Sequence, residues 1–254
     1  MERLGDTGSV TEEARWRVEP LSAWPGNLPL GIGGDWEGWS AVPDVSKTWD
    51  DASRALVREV LQSQYAQAEL SLPESWHDLE RSNCRTVTVG HQLVLAGGPA
   101  FFHHKILTAI RVARGLSTRA DQPVVPVFWM ASEDHDWKEA ARGDGLHRDH
   151  HWTPDDVSRP NPVGRLATHG LDALVRAWGE DGAPAAVVND LLQDLDAVER
   201  EGGRYAQVFF RWMHRWYGDL GLVVLDPDDG ALKASCAELW AREMCDVGVS
   251  HALE

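Results

Sequence analysis

An unbroken apolar run, PVVPVFWM at residues 123–130, constrains the fold of this chain more than any other feature. A strand exposed on one face would alternate apolar and polar residues, so the unbroken run predicts a strand buried on both faces, as in a parallel sheet. The run is too short to span a bilayer. Pro126 lacks the N–H group that a central strand uses for pairing, and we therefore allow for a bulge at this position.

The segments around this run predict an α/β fold. RTVTVG at residues 85–90 alternates in the manner of a strand, and HHKILTAIRVARGL at 103–116 has helical periodicity, with Gly115 near its end. Strand, loop, helix and strand in this order predict a βαβ unit with a right-handed crossover. GLVVLD at 221–226 follows another amphipathic segment, 204–221, and predicts a further buried strand.

The remaining segments have weaker patterns. Residues 1–45 are rich in Gly, Pro, Trp and Asp and predict an irregular arm, and Ser46 is the predicted N-cap of a helix that extends to Leu70. Residues 73–83 are predicted to be a linker. Residues 138–170 are predicted to be a loop that is followed by two helices, the second of which is the amphipathic segment before the last strand.

Charge and composition exclude several classes of partner. The 254 residues include 24 Lys and Arg against 40 Asp and Glu, a net charge of −16. Nucleic-acid binding depends on Lys and Arg, and anionic membranes repel an acidic chain, so we expect neither nucleic acid nor a membrane as a partner. The three cysteines form no CxxC pair, and MERLGDTGSV lacks the apolar core of a signal peptide. Both features predict a cytoplasmic protein.

Polar groups lie at the carboxyl end of each of the three predicted strands. They are Gly90-His91-Gln92, then Glu133-Asp134-His135-Asp136, and finally Asp226 with Asp228 and Asp229. Ligands of open α/β sheets bind beyond the carboxyl ends of the strands, so these residues predict a site at one edge of the sheet. Closely spaced carboxylates influence each other's proton affinity, which allows one to act as a base, and a histidine can shuttle protons. The alternative is that residues 133–136 form only a solvated acidic loop.

Glycine and histidine clusters suggest two other kinds of site. Gly97-Gly98-Pro99 precedes the predicted helix that contains Lys105, an arrangement that can hold an anion, although a tight turn alone also requires glycine. His147 and His151 could share a helix face and bind a metal. No HExxH or GxSxG motif is present. We therefore predict no metal ion and no serine nucleophile, with a metal-dependent hydrolase that uses the His-rich loop as an alternative.

Four segments, in this order, resemble the bacillithiol biosynthesis cysteine-adding enzymes, which are cysteine ligases: VGHQLVLAGGPAFFHHKI, VPVFWMASEDHDW, PVGRL and RYAQVFFRWMHRWYGDLGLVVLDPDD. The resemblance extends from about Leu21 to about Met244. The positions that match the family pattern are His91, Gln92, Gly98, Pro99, Lys105, Glu133, Asp134, His135, Asp136, Asp226 and Pro227. Val89 departs from it.

The resemblance implies a Rossmann-like core similar to that of class I aminoacyl-tRNA synthetases. This core would occupy residues 84–254, with an inserted connecting segment at about 138–200, and residues 1–83 would be an arm and a helix that pack on it. The implied reaction is the last step of bacillithiol synthesis, in which cysteine is joined to glucosaminyl-malate after activation by ATP.

The resemblance also implies roles for individual residues. The groups that would face the ATP phosphates are His91, Gln92, Lys105 and the Gly97-Gly98 turn, and the first three of them would be catalytic. Gly90 and Asp226 would also bind the nucleotide. The groups that would surround the incoming amine and take its proton are Glu133, Asp134, His135 and Asp136. The candidate partners of the malate carboxylates are Arg111, Arg142, Arg148 and Arg165.

Members of this family are about twice as long and carry a C-terminal coiled coil, which this sequence lacks. One alternative is therefore a ligand-binding or inactive portion that needs the C-terminal half for activity. Apolar surface left open where those helices would pack also predicts self-association, so a homo-oligomer is a further expectation.

Overall fold

The computed structural model of the chain describes residues 50–144, 147, 149–155 and 161–246. The chain divides into two units, residues 1–48 and 49–254, and the described residues belong to the second. The predicted irregular arm, the predicted cap Ser46 and the candidate Arg148 all lie outside the described residues. No helix within the described ranges is long and apolar enough to cross a membrane.

The described residues form α-helices and β-strands in an α/β arrangement, which confirms the predicted fold class. The helices are α1 (Asp51–Gln67), α2 (Ala100–Ala120), α3 (Trp137–Ala140), α4 (Leu171–Glu180), α5 (Ala185–Arg200), α6 (Tyr205–Tyr217), α7 (Gly230–Ser235) and α8 (Ala237–Asp246). The strands are β1 (Arg85–His91), β2 (Val124–Met130), β3 (Arg142–Asp144), β4 (Asp149–His151) and β5 (Val223–Leu225).

The main sheet is parallel, with the strand order β1-β2-β5. The unbroken apolar run therefore lies in the central strand, as its composition predicts. Phe128 of β2 contacts Phe102 of α2 and Phe209 of α6, with ring centroids 5.7 and 6.2 Å apart. Both crossover helices thus pack on the same face of the sheet. The predicted strand–helix–strand unit is confirmed as β1-α2-β2.

The allowance for a bulge at Pro126 is wrong, because β1 and β2 pair in continuous register from Arg85–Val124 to His91–Met130. The strand's alternation explains how proline is tolerated. Ala131 N donates to His91 O at 3.0 Å, so the backbone N–H groups of the odd-numbered residues of β2 point towards β1. The backbone nitrogen of Pro126 therefore points towards the opposite neighbour, β5. Pairing with β5 begins only at Val127, and the missing N–H of Pro126 therefore costs no hydrogen bond in the ladder.

Helix α1 protects the outer edge of β5. The hydroxyl of Tyr65 accepts a hydrogen bond from Val224 N at 3.0 Å, and the amide of Gln64 binds both Asp226 N and Asp226 O, at 3.0 and 2.7 Å. Edge strands present unpaired backbone groups, which these two side chains satisfy. The helix begins later than predicted, since its N-cap is Asp50, whose side chain accepts from Ser53 N at 2.8 Å.

Replacing Tyr65 with phenylalanine is expected to lower the free energy of unfolding by about 1–3 kcal/mol, because a buried N–H of Val224 loses its acceptor. Urea unfolding measures this change, and the denaturant slope should stay constant because no extra surface is exposed. A variant as stable as the original chain would show that Val224 N finds another acceptor, and that α1 does not hold this edge through Tyr65.

Three local predictions differ from the structure. The predicted linker 73–83 contains a 3-10 helix, Glu74–Glu80, which buries Trp76 and Leu79 and is therefore packed. Helix α2 does not stop near Gly115 but continues to Ala120, because Asp121 takes up the left-handed conformation that ends the helix, with φ 49°. The segment predicted as a loop contains α3 and the hairpin β3–β4, and three helices, α4 to α6, follow it instead of two.

Candidate active site at the carboxyl edge of the sheet

The ends of the three parallel strands meet, as the sequence predicts. Ala131 N, just after β2, donates to His91 O at the end of β1, and the Ser132 hydroxyl donates to Asp226 Oδ1 just after β5. Parallel strands place their carboxyl ends at one edge, so the polar residues that follow them share a single surface region. The roles proposed for these residues remain predictions, but their juxtaposition is a feature of the structure.

The end of β1 is linked to α2 by a lysine. Lys105 Nζ donates to Gly90 O at 2.8 Å, which uses one of its three N–H donors and leaves two for a ligand. The His91 ring packs against Phe102, with centroids 5.2 Å apart, and its Nδ1 lies 3.2 Å from Gln92 O. The lysine ammonium is thus held at the carboxyl end of β1.

The turn before α2 requires glycine for two reasons, its backbone conformation and its close packing. Gly97 and Gly98 have φ values of 85° and 60°, which disfavour other residues. A Cβ on Gly97 would also lie 2.7 Å from the ring of His103. His103 is hydrogen-bonded to the Tyr217 hydroxyl, and burial lowers its pKa, so its imidazole is neutral at pH 7. Neither His103 nor Tyr217 is distinguished by the sequence patterns.

In the acidic segment after β2, residues 133–136, some side chains hydrogen-bond to the loop itself and others do not. Asp134 Oδ1 accepts from His135 N at 2.6 Å, and Asp136 Oδ1 accepts from Glu139 N at 3.2 Å to cap α3. These two carboxylates therefore stabilise the loop, in agreement with the solvated-loop alternative. Glu133 differs, because its Oε2 is buried without a hydrogen-bond partner in the described part of the chain. The His135 side chain is exposed.

The PVGR segment, residues 162–165, packs on this loop. Together with the residues after β5 they form the carboxyl-edge cluster, which comprises Ser132, Glu133, Asp134, Arg165, Asp226 and Asp228. Val163 N donates to Asp134 O at 2.7 Å, and Gly164 N donates to Ser132 O at 2.8 Å. The docked segment carries Arg165, whose Nε and Nη2 donate to Asp228 Oδ2 and Oδ1 at 2.6 and 2.8 Å. Lys233 of α7 also binds Asp228. Arg165 is therefore engaged by a carboxylate of the protein, which weakens its candidacy as a malate ligand.

Asp226 is held through both its side chain and its backbone. Its Oδ1 accepts from the Ser132 hydroxyl and from Asp228 N, the latter at 3.0 Å, while Gln64 holds its backbone. Burial raises the pKa of Asp226, and the negative charges of Asp228 and Glu133 add to this effect. Perturbed carboxylates of this kind are typical of functional sites. Ser132 and Gln64 were missed by the sequence patterns, because they lie far from Asp226 along the chain.

Replacing Asp228 with asparagine is expected to destabilise the chain by about 1 kcal/mol at pH 7, since the ion pairs with Arg165 and Lys233 are partly exposed. Hydrogen bonding to Arg165 and Lys233 lowers the pKa of Asp228. Its contribution is therefore complete above about pH 4 and disappears as pH falls through the lowered pKa. Urea unfolding at pH 7 and pH 3 should show the difference between the two proteins shrinking in acid. Asp229→Asn is the matched control because asparagine also caps helices, and an equal loss in the control would contradict the ion-pair explanation.

The other predicted groups lie apart from this cluster or serve other contacts. Arg142 binds Asp149 at 3.2 Å across the β3–β4 hairpin, and Arg111 lies within α2. His150 is buried and lies 3.3 Å from Asp181 Oδ2, whereas His151 is exposed. Among the described residues, no group of three or more His, Cys, Asp or Glu side chains could hold a metal ion. His147 N donates to the same Asp181 Oδ2 at 3.1 Å, so His147 and His150 meet at one carboxylate, the first through its backbone and the second through its ring.

Comparisons with known proteins agree with this architecture. The family model described as "Bacillithiol biosynthesis BshC, N-terminal Rossmann-like domain" matches residues 38–253. A relative from Salinibacter ruber, which bears the name "Putative cysteine ligase BshC", is 31% identical over 234 residues, or 86% of this chain and 42% of the relative. A relative of the same name from Cytophaga hutchinsonii is 29% identical over 76% of this chain and 35% of its own length. Another, from Geobacillus thermodenitrificans, is 30% identical over 61% of this chain and 30% of its own length.

The family match covers most of the chain, including every strand of the parallel sheet and the residues of the carboxyl-edge cluster. The chain nevertheless spans less than half the length of the relatives compared above. By the extent of the family match and by its Rossmann-like α/β fold, the chain belongs to the bacillithiol biosynthesis BshC family, to whose N-terminal Rossmann-like domain it corresponds.

Proposed function

We propose that this chain takes part in cysteine ligation, joining cysteine to glucosaminyl-malate in the last step of bacillithiol synthesis. The observation that carries the proposal is the family match over residues 38–253. The carboxyl-edge cluster lies within the matched region, at the position where open α/β sheets bind their ligands. The reaction would take place in the cytoplasm, and the likeness to class I aminoacyl-tRNA synthetases remains part of the same proposal.

Formation of the amide requires activation of the cysteine carboxylate. In the proposed first step, a carboxylate oxygen attacks the α-phosphorus of ATP, so that an adenylate forms and pyrophosphate leaves. Lys105, held at the edge by Gly90 O, and the N-terminus of α2 would stabilise the negative charge on the phosphates. His91 ends β1 and Gln92 follows it at the same edge, where both would contact the nucleotide.

The second step joins the amine to the activated carboxyl group. The amine nitrogen of glucosaminyl-malate attacks the adenylate carbonyl carbon, AMP leaves, and the amine loses a proton to a base. Because Asp134 and Asp136 accept hydrogen bonds from the backbone of their own loop, Glu133 and His135 are the better candidates for this base among residues 133–136.

A second candidate function follows from the length of the chain. The chain covers 42% of the Salinibacter ruber relative, and its parallel sheet contains only three strands in the described ranges. A portion of this size could bind a substrate without completing the reaction. In this case, activity would require the additional sequence that the longer relatives contain.

The test is to incubate the chain with ATP, cysteine and glucosaminyl-malate and to detect bacillithiol by mass spectrometry. Exchange of labelled pyrophosphate into ATP reports the first step separately. Product that depends on ATP supports the ligase. Product without any nucleotide would eliminate the adenylate step, and product seen only when a C-terminal portion from a longer relative is fused or co-expressed would favour the second candidate.

A further inference from the structure

A cavity of about 350 Å³ lies on the face of the sheet opposite α2 and α6. Its walls are mainly apolar and include Leu56 of α1, Val127 and Trp129 of β2, and Trp240 of α8. Trp129 and Trp240 are 42% and 50% exposed, which is unusual for side chains of this size. The volume is within the range of small-molecule sites, whose walls are typically apolar and aromatic with a few polar groups.

One polar group of the cavity lacks a partner. Glu133 lines the cavity, and its Oε2 is buried with no hydrogen bond to any residue that the structure describes. Buried carboxylate oxygens without a donor are costly and are rarely left unpaired in folded proteins. A ligand that fits this cavity should therefore present an N–H donor beside an apolar or aromatic surface.

We propose that the cavity binds the adenine ring of ATP, whose exocyclic amino group donates a hydrogen bond to Glu133 Oε2. The proposal rests on the proposed function for the identity of the nucleotide, but its geometry is independent of the chemistry that follows. A flat purine matches the aliphatic and indole walls. Cysteine is too small to fill the cavity, and glucosaminyl-malate lacks a flat apolar ring that the aliphatic and indole walls could contact.

Glu133 and His135 of the acidic segment have different roles in this proposal. Glu133 lines the cavity, and its negative charge also makes a small contribution to the raised pKa values of Asp226 and Arg165 in the carboxyl-edge cluster. If Glu133 is occupied by the purine, it is not free to take a proton from the amine. His135, exposed in the same loop, is then the group of residues 133–136 that accepts this proton.

The test compares ATP with ITP, which has a carbonyl oxygen in place of the exocyclic amino group. Isothermal titration calorimetry of the intact chain should give a dissociation constant about 10- to 100-fold lower for ATP, the range of discrimination expected from a hydrogen bond to a charged group. Glu133→Gln should abolish most of this preference, because its amide can either accept or donate. Equal binding of ATP and ITP by the unaltered chain would overturn the proposal.

A second pair of variants tests the position of the site. Thr88 is an exposed residue of β1 that lines the cavity, so Thr88→Trp should fill the cavity and weaken binding of both nucleotides at least tenfold. Thr118→Trp, at an exposed position on α2 away from the cavity, is the matched control and should bind normally. Circular dichroism checks that both variants are folded. Undiminished ATP binding by folded Thr88→Trp would place the purine elsewhere.

The outcomes of this test are separable from those of the ligase assay. Amide product without ATP-over-ITP preference would retain the proposed function and reject the purine site. A clear preference that Glu133→Gln removes, without amide product, would support the purine site and count against ligation by this chain alone.

Discussion

Replacing Lys105 with alanine is expected to lower kcat/KM for ATP-dependent cysteine ligation by about 100-fold, the loss typical of removing one donor that stabilises developing charge. The lysine ammonium donates to Gly90 O at 2.8 Å and so is held at the carboxyl end of β1. It lies on α2 close to the start of that helix, where the helix dipole also favours an anion. The lysine charge and the helix dipole would therefore stabilise the same phosphate group.

The measurement is steady-state product formation together with pyrophosphate exchange. The adenylate step should account for most of the loss, because Lys105 is proposed to act on the phosphates and not on the amine. Arg176→Ala is the matched control: it removes a positive charge from the exposed surface of α4, where Arg176 lies 3.9 Å from Asp172. Lys105→Arg should retain part of the activity, since it keeps the charge but changes its reach. Unchanged pyrophosphate exchange in Lys105→Ala would remove this residue from the nucleotide site.

Replacing Gly164 with alanine is expected to lower the free energy of unfolding by about 3 kcal/mol, through overpacking and the loss of a backbone hydrogen bond. A Cβ at this position would lie 2.8 Å from Ser132 Cβ and 2.9 Å from Ser132 O. One of the two clashing atoms belongs to the backbone, so rotation of a side chain cannot relieve it. The PVGR segment would have to move away from the loop that follows β2, and Arg165 would move with it.

The control for this variant is Gly230→Ala at the start of α7, where an added Cβ meets nothing within 4 Å. Alanine favours helices over glycine, so this change should leave stability the same or slightly higher. Urea unfolding of the two variants provides the comparison. Equal stability of Gly164→Ala and Gly230→Ala would show that the segment adjusts without strain, and that its docking contributes little to the fold.

The strands of the sheet could be predicted because their signals are local. An unbroken apolar run and an alternating segment identify β2 and β1 within seven residues each. The parallel arrangement then requires their carboxyl ends to share an edge, so the proximity of His91 to the loop after β2 was predictable as well. Boundaries were less accurate: Gly115 suggested a helix end that the surrounding turns of α2 override.

The site's detailed chemistry could not be derived from such local signals. The three acidic residues among positions 133–136 look alike in the sequence. Only the structure separates the two aspartates, which accept hydrogen bonds from their own loop, from Glu133, which has a buried oxygen without a partner in the described part of the chain. The distinction depends on which backbone N–H groups the folded loop turns towards each carboxylate. No spacing rule contains this information.

The sequence by itself determined the α/β class, the order of the parallel strands along the chain and the edge at which polar groups collect, because all three follow from short-range periodicity and chain connectivity. The tertiary structure alone decided which groups act together. Arg165 binds Asp228 across 63 positions, Ser132 binds Asp226 across 94, and Gln64 holds Asp226 across 162. Such contacts arise when separate elements pack, and their geometry depends on the whole fold.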